Sequence, residues 1–109
     1  MENIFKEIRQ ERQRQNLKWG EQNHPVLDPV LINRGADRMC QEFEIPTEAR
    51  AKQLCDLNAF RGTCTWMHIL VEEISEVASC QSPDDLREEL IQAASVIVAT
   101  IESLDRNGR

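Results

Sequence analysis

Residues Leu70 to Ala94 read LVEEISEVASCQSPDDLREELIQAA and place seven carboxylates in 25 positions. The same stretch has the periodicity of two helices made for burial, with Leu70, Val71, Ile74 and Val77 on the first and an apolar run opening on the second. Buried acids cost free energy unless they are solvated, paired or bound to a cation. What neutralises these carboxylates is therefore the central question the sequence poses.

The short connection SCQSPDD between the two helices predicts neighbours packed antiparallel. At about 100° per residue, Glu72 and Glu76 lie about 40° apart and Glu73 and Glu76 about 60° apart, so the three share one ridge. On the following helix Glu89 and Gln92 are three residues apart, with Asp85 a turn earlier on a similar face. Two acidic ridges then face a common space. Like charges so placed raise one another's pKa unless a cation intervenes, and oxygen donors at this density suit Mg²⁺ or Mn²⁺. Against this stands the simpler reading, that acids on helices often mark nothing but a solvated face.

Working outward, the rest of the chain is helical as well, and the expected class is all-α: a bundle of about five helices built around the two acidic ones. No alternating strand pattern is present, whereas 3.6-residue periodicity and helix punctuation recur throughout. The first helix is expected from about Asn3 to Leu17, thinly amphipathic, and the loop WGEQNHPVLDP follows it. Asp28 before Pro29 predicts the start of a second helix running to about Phe43. Thr47 caps a third, which runs through Phe60 and stops at Gly62; Thr65 caps a fourth over Trp66 to Ser79. The fifth begins with Ser82 as cap, Pro83 in the first helical position and Asp85 where a capping-box acid belongs, and reaches about Arg106. Within it LIQAASVIVATI is apolar nearly all round, which predicts a helix at the centre of the bundle.

The 109 residues suit one domain, spanning the whole chain. A net charge of −6 disfavours passive attraction to nucleic acid or anionic lipid, so neither a nucleic-acid nor a membrane partner is expected. MENIFKEIRQ lacks the apolar run of a signal peptide, and no stretch reaches the roughly 18 apolar residues of a membrane helix; the expected setting is cytoplasmic. Cys40, Cys55, Cys64 and Cys80 are too widely spaced for a zinc or redox motif and read as reduced, mostly buried packing residues.

These residues together resemble the MazG-like branch of the all-α nucleoside triphosphate pyrophosphatase superfamily, whose pattern is EExxE on one helix and ExxD on the next. EEISE supplies Glu72, Glu73 and Glu76, ELIQ supplies Glu89 and Gln92, and TWMHILVEE, IPTEARAK and WGEQNHP extend the similarity over most of the chain. Gln92 departs from the pattern, which has Asp, and replaces a charged oxygen by a neutral one. The resemblance implies Mg²⁺-dependent hydrolysis of an NTP or dNTP between the α and β phosphates, a house-cleaning role, and a homo-oligomer, most simply a dimer. It implies Glu73, Glu76, Glu89 and Gln92 as the metal set, Gln92 alternatively donating to phosphate, and Glu72 as a further ligand or the catalytic base. Lys18, Arg50 and Lys52 are candidates to face the triphosphate, although surface solvation explains each, and Trp19 or Trp66 to stack on a base, although packing explains both. His24 reads as a turn residue and His68 as a helix-surface or interface residue. A non-catalytic module that binds a nucleotide or other phosphate ligand is the alternative, and a purely structural helical bundle a third.

Overall fold

The computed structural model describes residues 1–31 and 34–109, and these form five α-helices with no strand among them. In chain order they are α1 (Glu2–Trp19), α2 (Ala36–Glu42), α3 (Glu48–Arg61), α4 (Trp66–Ser79) and α5 (Pro83–Asn107).

Local chemistry sets most of the helix ends. The Thr47 hydroxyl accepts from the Arg50 N–H at 3.2 Å and opens α3. Gly62, in the left-handed conformation at φ 70°, closes it, with the Thr63 N–H donating back to the Asn58 carbonyl at 2.8 Å. At α4 the Thr65 hydroxyl accepts from the His68 N–H, and His68 Nδ1 accepts from the Thr65 N–H at 3.0 Å, a reciprocal capping box in which histidine does the work usually done by Glu or Gln. His68 is thus a structural cap. Ser82 and Pro83 take the expected positions at the start of α5, but the Ser82 side chain makes no capping hydrogen bond and no capping box forms.

The second helix is much shorter than its sequence predicts. Asp28 Oδ1 accepts from the Val30 N–H at 2.9 Å and the Asp28 carbonyl from the Leu31 N–H at 3.1 Å, so this aspartate closes a local turn. The expected helix also crosses Ile32 and Asn33, which lie outside the described residues, and α2 begins only at Ala36.

α4, rather than α5, is the centre: α2, α3 and α5 all pack on it. Its small residues explain how α2 comes close, since Ser75, Ala78 and Ser79 are buried at spacings of three and four. Ser75 Oγ donates to the Pro46 carbonyl at 2.8 Å, and Cys40 Sγ lies 3.4 Å from Ser79 Oγ. Leu27, Met39, Cys40 and Ala78 form the core there, with Leu31, Ile45 and Leu86 packed around it. On the other side Cys55 Sγ donates to the His68 carbonyl at 3.1 Å and ties α3 to α4. Cys40, Cys55 and Cys80 are buried free thiols; Cys64 is exposed. α5, expected to be surrounded, keeps Leu90, Ile91, Ile97 and Leu104 exposed, and only Ala93, Val98 and Ser103 are buried. α1 buries Ile4 alone, consistent with its thin amphipathicity. No helix among the described residues is long and apolar enough to cross a membrane.

Candidate metal centre

α4 contributes two carboxylates and α5 one to a single cluster. Glu73, Glu76 and Glu89 each bring an oxygen to within 4.8 Å of the others, and all three are half-buried. Glu73 and Glu76, three apart, project from neighbouring turns of one helix, and the packing of α5 on α4 brings Glu89 to them.

No ion pair among the described residues reaches the cluster. Among the described residues the ion pairs are Arg14 with Glu11 and Lys52 with Asp56, both on other helices. Glu73 Oε2 and Glu89 Oε2 are shut off from solvent and accept no hydrogen bond from the described residues. Burial pushes the Glu73 carboxyl above its ordinary range, reinforced by the charges of Glu89 and Glu72. Glu76 is pushed up to about 7, first by burial, then by Glu73 and Glu89. Such a group of inaccessible, unpartnered oxygens is costly in the empty chain and becomes favourable once a cation sits among it. All the donors are hard oxygens, which fits a hard divalent cation that retains some of its water.

Glu72 stands apart from this trio. It is half-buried and lies beside the Cys55 thiol, which burial and the Glu72 carboxylate push up to about 12. The expectation of one ridge holding all three acids of EEISE therefore gives way to two directions, Glu73 and Glu76 toward Glu89 and Glu72 toward α3. A step of 100° per residue separates adjacent glutamates enough for different neighbours to claim them.

Gln92 is exposed on α5, three residues beyond Glu89. The remaining candidates are dispersed. Lys18 and Trp19 are exposed at the end of α1, with the Lys18 ammonium 4.6 Å from the Trp19 ring centre. Arg50 and Lys52 are exposed on α3, where Lys52 pairs with Asp56 at 3.5 Å. Trp66 is half-buried and His24 exposed. The capping role of His68 is the feature that sequence reading missed; its signal was a side chain with a hydrogen-bond acceptor three residues after Thr65. No family model, curated protein or solved structure matches the chain.

Proposed function

We propose that the protein is a Mg²⁺-dependent nucleoside triphosphate pyrophosphohydrolase of the MazG-like kind, cytoplasmic and homo-oligomeric, that converts an NTP or dNTP to the monophosphate and pyrophosphate. The observation that supports this most directly is the pair of buried, unpartnered oxygens on Glu73 and Glu89 within a three-carboxylate cluster. α4 and α5 run antiparallel in this reading, each lending its acidic ridge to one site. Glu73, Glu76 and Glu89 would hold the cation, for which Mn²⁺ is an alternative. Bound there, Mg²⁺ supplies neutralisation of the phosphate charge and a lowered pKa for the attacking water.

The chain's own side chains do the rest. Glu72, next to Glu73 in sequence but beside Cys55 in the metal-free chain, would have to swing toward the trio to take the proton of the attacking water. Gln92, exposed and neutral, donates its amide N–H to a phosphate oxygen. Lys18 and Trp19 on α1 and Arg50 and Lys52 on α3 are the candidates to meet the triphosphate and the base, but they are dispersed in the metal-free chain. Pyrophosphate release from a panel of NTPs and dNTPs over a Mg²⁺ titration tests the reading. Turnover of at least one nucleotide is expected; nucleotide-dependent stabilisation without pyrophosphate would instead assign a binding module, and neither response a structural bundle.

Gln92 makes a separate prediction. The Gln92→Asp variant adds a fourth carboxylate beside groups already held above their ordinary pKa, and it removes a donor. Turnover at saturating Mg²⁺ is expected to fall about tenfold, the equivalent of one hydrogen bond to a charged oxygen. A rise in turnover would mark position 92 as a weakened metal ligand.

A further inference from the structure

Cys55 and Cys64 are nine residues apart, too far for a local redox motif, yet the turn between α3 and α4 brings them together. The chain reverses at Gly62. The Thr63 N–H donates to the Asn58 carbonyl at 2.8 Å, and the Thr63 hydroxyl donates to Asn58 Oδ1, also at 2.8 Å. Residue 63 is thereby held against α3 at Asn58, which lies one turn beyond Cys55 on the same face. Cys64, the next residue of a chain now travelling back along α3, comes level with Cys55.

Both thiols also reach the start of α4. Cys55 Sγ donates to the His68 carbonyl at 3.1 Å, and Cys64 Sγ lies 3.8 Å from the Thr65 carbonyl. Those carbonyls are three residues apart, about 4.5 Å along the helix axis. Cys64 is also among the charges that push the Cys55 thiol up, after burial and Glu72. The two differ in access: Cys55 is buried and Cys64 is exposed, so an oxidant in solvent meets Cys64 first. The remaining thiols are buried and engaged elsewhere, Cys40 Sγ at 3.4 Å from Ser79 Oγ and Cys80 Sγ donating to the Ser82 carbonyl at 3.3 Å.

We propose that Cys55 and Cys64 form a reversible intrachain disulfide when the chain meets a hydroperoxide, with Cys64 the thiol attacked first. The Cys64 sulfur takes one peroxide oxygen, breaking the O–O bond and releasing water, and becomes a sulfenic acid. The Cys55 sulfur then attacks the Cys64 sulfur; the S–S bond forms, the S–OH bond breaks, and the departing hydroxide leaves with the Cys55 proton as water. Each thiol gives one electron, and the peroxide is reduced by two. Closing the bond withdraws the Cys55 donor from the His68 carbonyl, so the redox state of the pair reaches α4, the helix that carries Glu73 and Glu76.

The folded, metal-free full chain treated with stoichiometric hydrogen peroxide is expected to lose the mass of two hydrogens. Peptide mapping should find the Cys55 and Cys64 peptides joined and Cys40 and Cys80 still free to alkylate, and a dithiol reductant should restore the original mass. Cys64→Ser should abolish the loss, and Cys55→Ser should halt the reaction at a Cys64 sulfenic acid that dimedone traps. Should Cys55→Ser fail to fold, the wild type in denaturant gives the comparison, since pairing there should spread over all four cysteines. A bond through Cys40 or Cys80 in the folded chain, a bond between two chains, or Cys64 carried on to sulfinic acid while Cys55 stays a free thiol overturns the proposal. Because no nucleotide or Mg²⁺ takes part, each of these results leaves the pyrophosphohydrolase reading to its own assay.

Discussion

Glu89→Gln is expected to abolish the response of the protein to Mg²⁺ and to lower pyrophosphate release by about 100-fold or more, because a charged ligand shared between two helices is lost. In the wild-type chain, Mg²⁺ at about a hundred times its dissociation constant should stabilise the fold by about 2.7 kcal/mol and raise Tm by roughly 10 °C, since it binds the folded cluster and not the unfolded chain. Glu73→Gln should behave in the same way. Neither change should unfold the metal-free protein. Both buried Oε2 atoms lack partners among the described residues, so replacing one carboxylate by an amide relieves repulsion, and the metal-free Tm is expected to hold or rise. Thermal melts with and without Mg²⁺, alongside the pyrophosphate assay, separate the outcomes. A full Mg²⁺ shift in both variants would remove these residues from the metal site.

The metal-free protein should become less stable as pH rises through neutrality. Glu76 is held at about 7 in the folded chain against an ordinary value of 4.5, with burial the first cause and Glu73 and Glu89 next. Between those two values the folded state keeps a proton that the unfolded state has released, so folding takes one up and stability falls as pH increases. The contribution is complete below about pH 4.5 and is lost as pH passes through about 7. Glu73, shifted in the same direction, adds to the effect. A Tm on the order of 5 °C higher at pH 5.5 than at pH 8 is expected without divalent metal, and Glu76→Gln should flatten the profile. Saturating Mg²⁺ should reverse the trend, because the cation competes with the proton for the same oxygens. A metal-free Tm that rises from pH 5.5 to 8 would contradict the assignment of Glu76 to a crowded, unneutralised cluster.

The apolar run on α5 shows how a sound sequence observation can lead to the wrong location. LIQAASVIVATI is apolar nearly all round, and a helix of that kind needs neighbours on most sides. Within one chain the helix that has those neighbours is α4, and α5 leaves its Leu90, Ile97 and Leu104 stripe exposed. Composition measures how much apolar surface a helix carries. It does not say which helix of the fold will be covered.

A comparable split runs through the helix ends. Thr47, Gly62 and Thr65 act through hydrogen bonds to groups within a few residues of themselves, and α3 and α4 begin and end where those residues place them. Asp28 is as good a capping residue by type, yet its carboxylate is satisfied by the Val30 N–H in a turn, and α2 starts eight residues later at Ala36. Both uses of an aspartate satisfy an N–H, so the local sequence does not choose between them.

The same division governs the acidic site. That α4 and α5 would be helices bearing carboxylates three and four residues apart was determined by the sequence alone, because helical periodicity and capping are short-range effects. Which carboxylates meet was decided by the packing of three helices. Glu73 and Glu76 meet Glu89 where α5 packs on α4, Glu72 lies beside Cys55 of α3, and Gln92 stays exposed. Adjacent positions on a helix differ by about 100°, and only the neighbour on each side determines which of them is buried and which meets a partner.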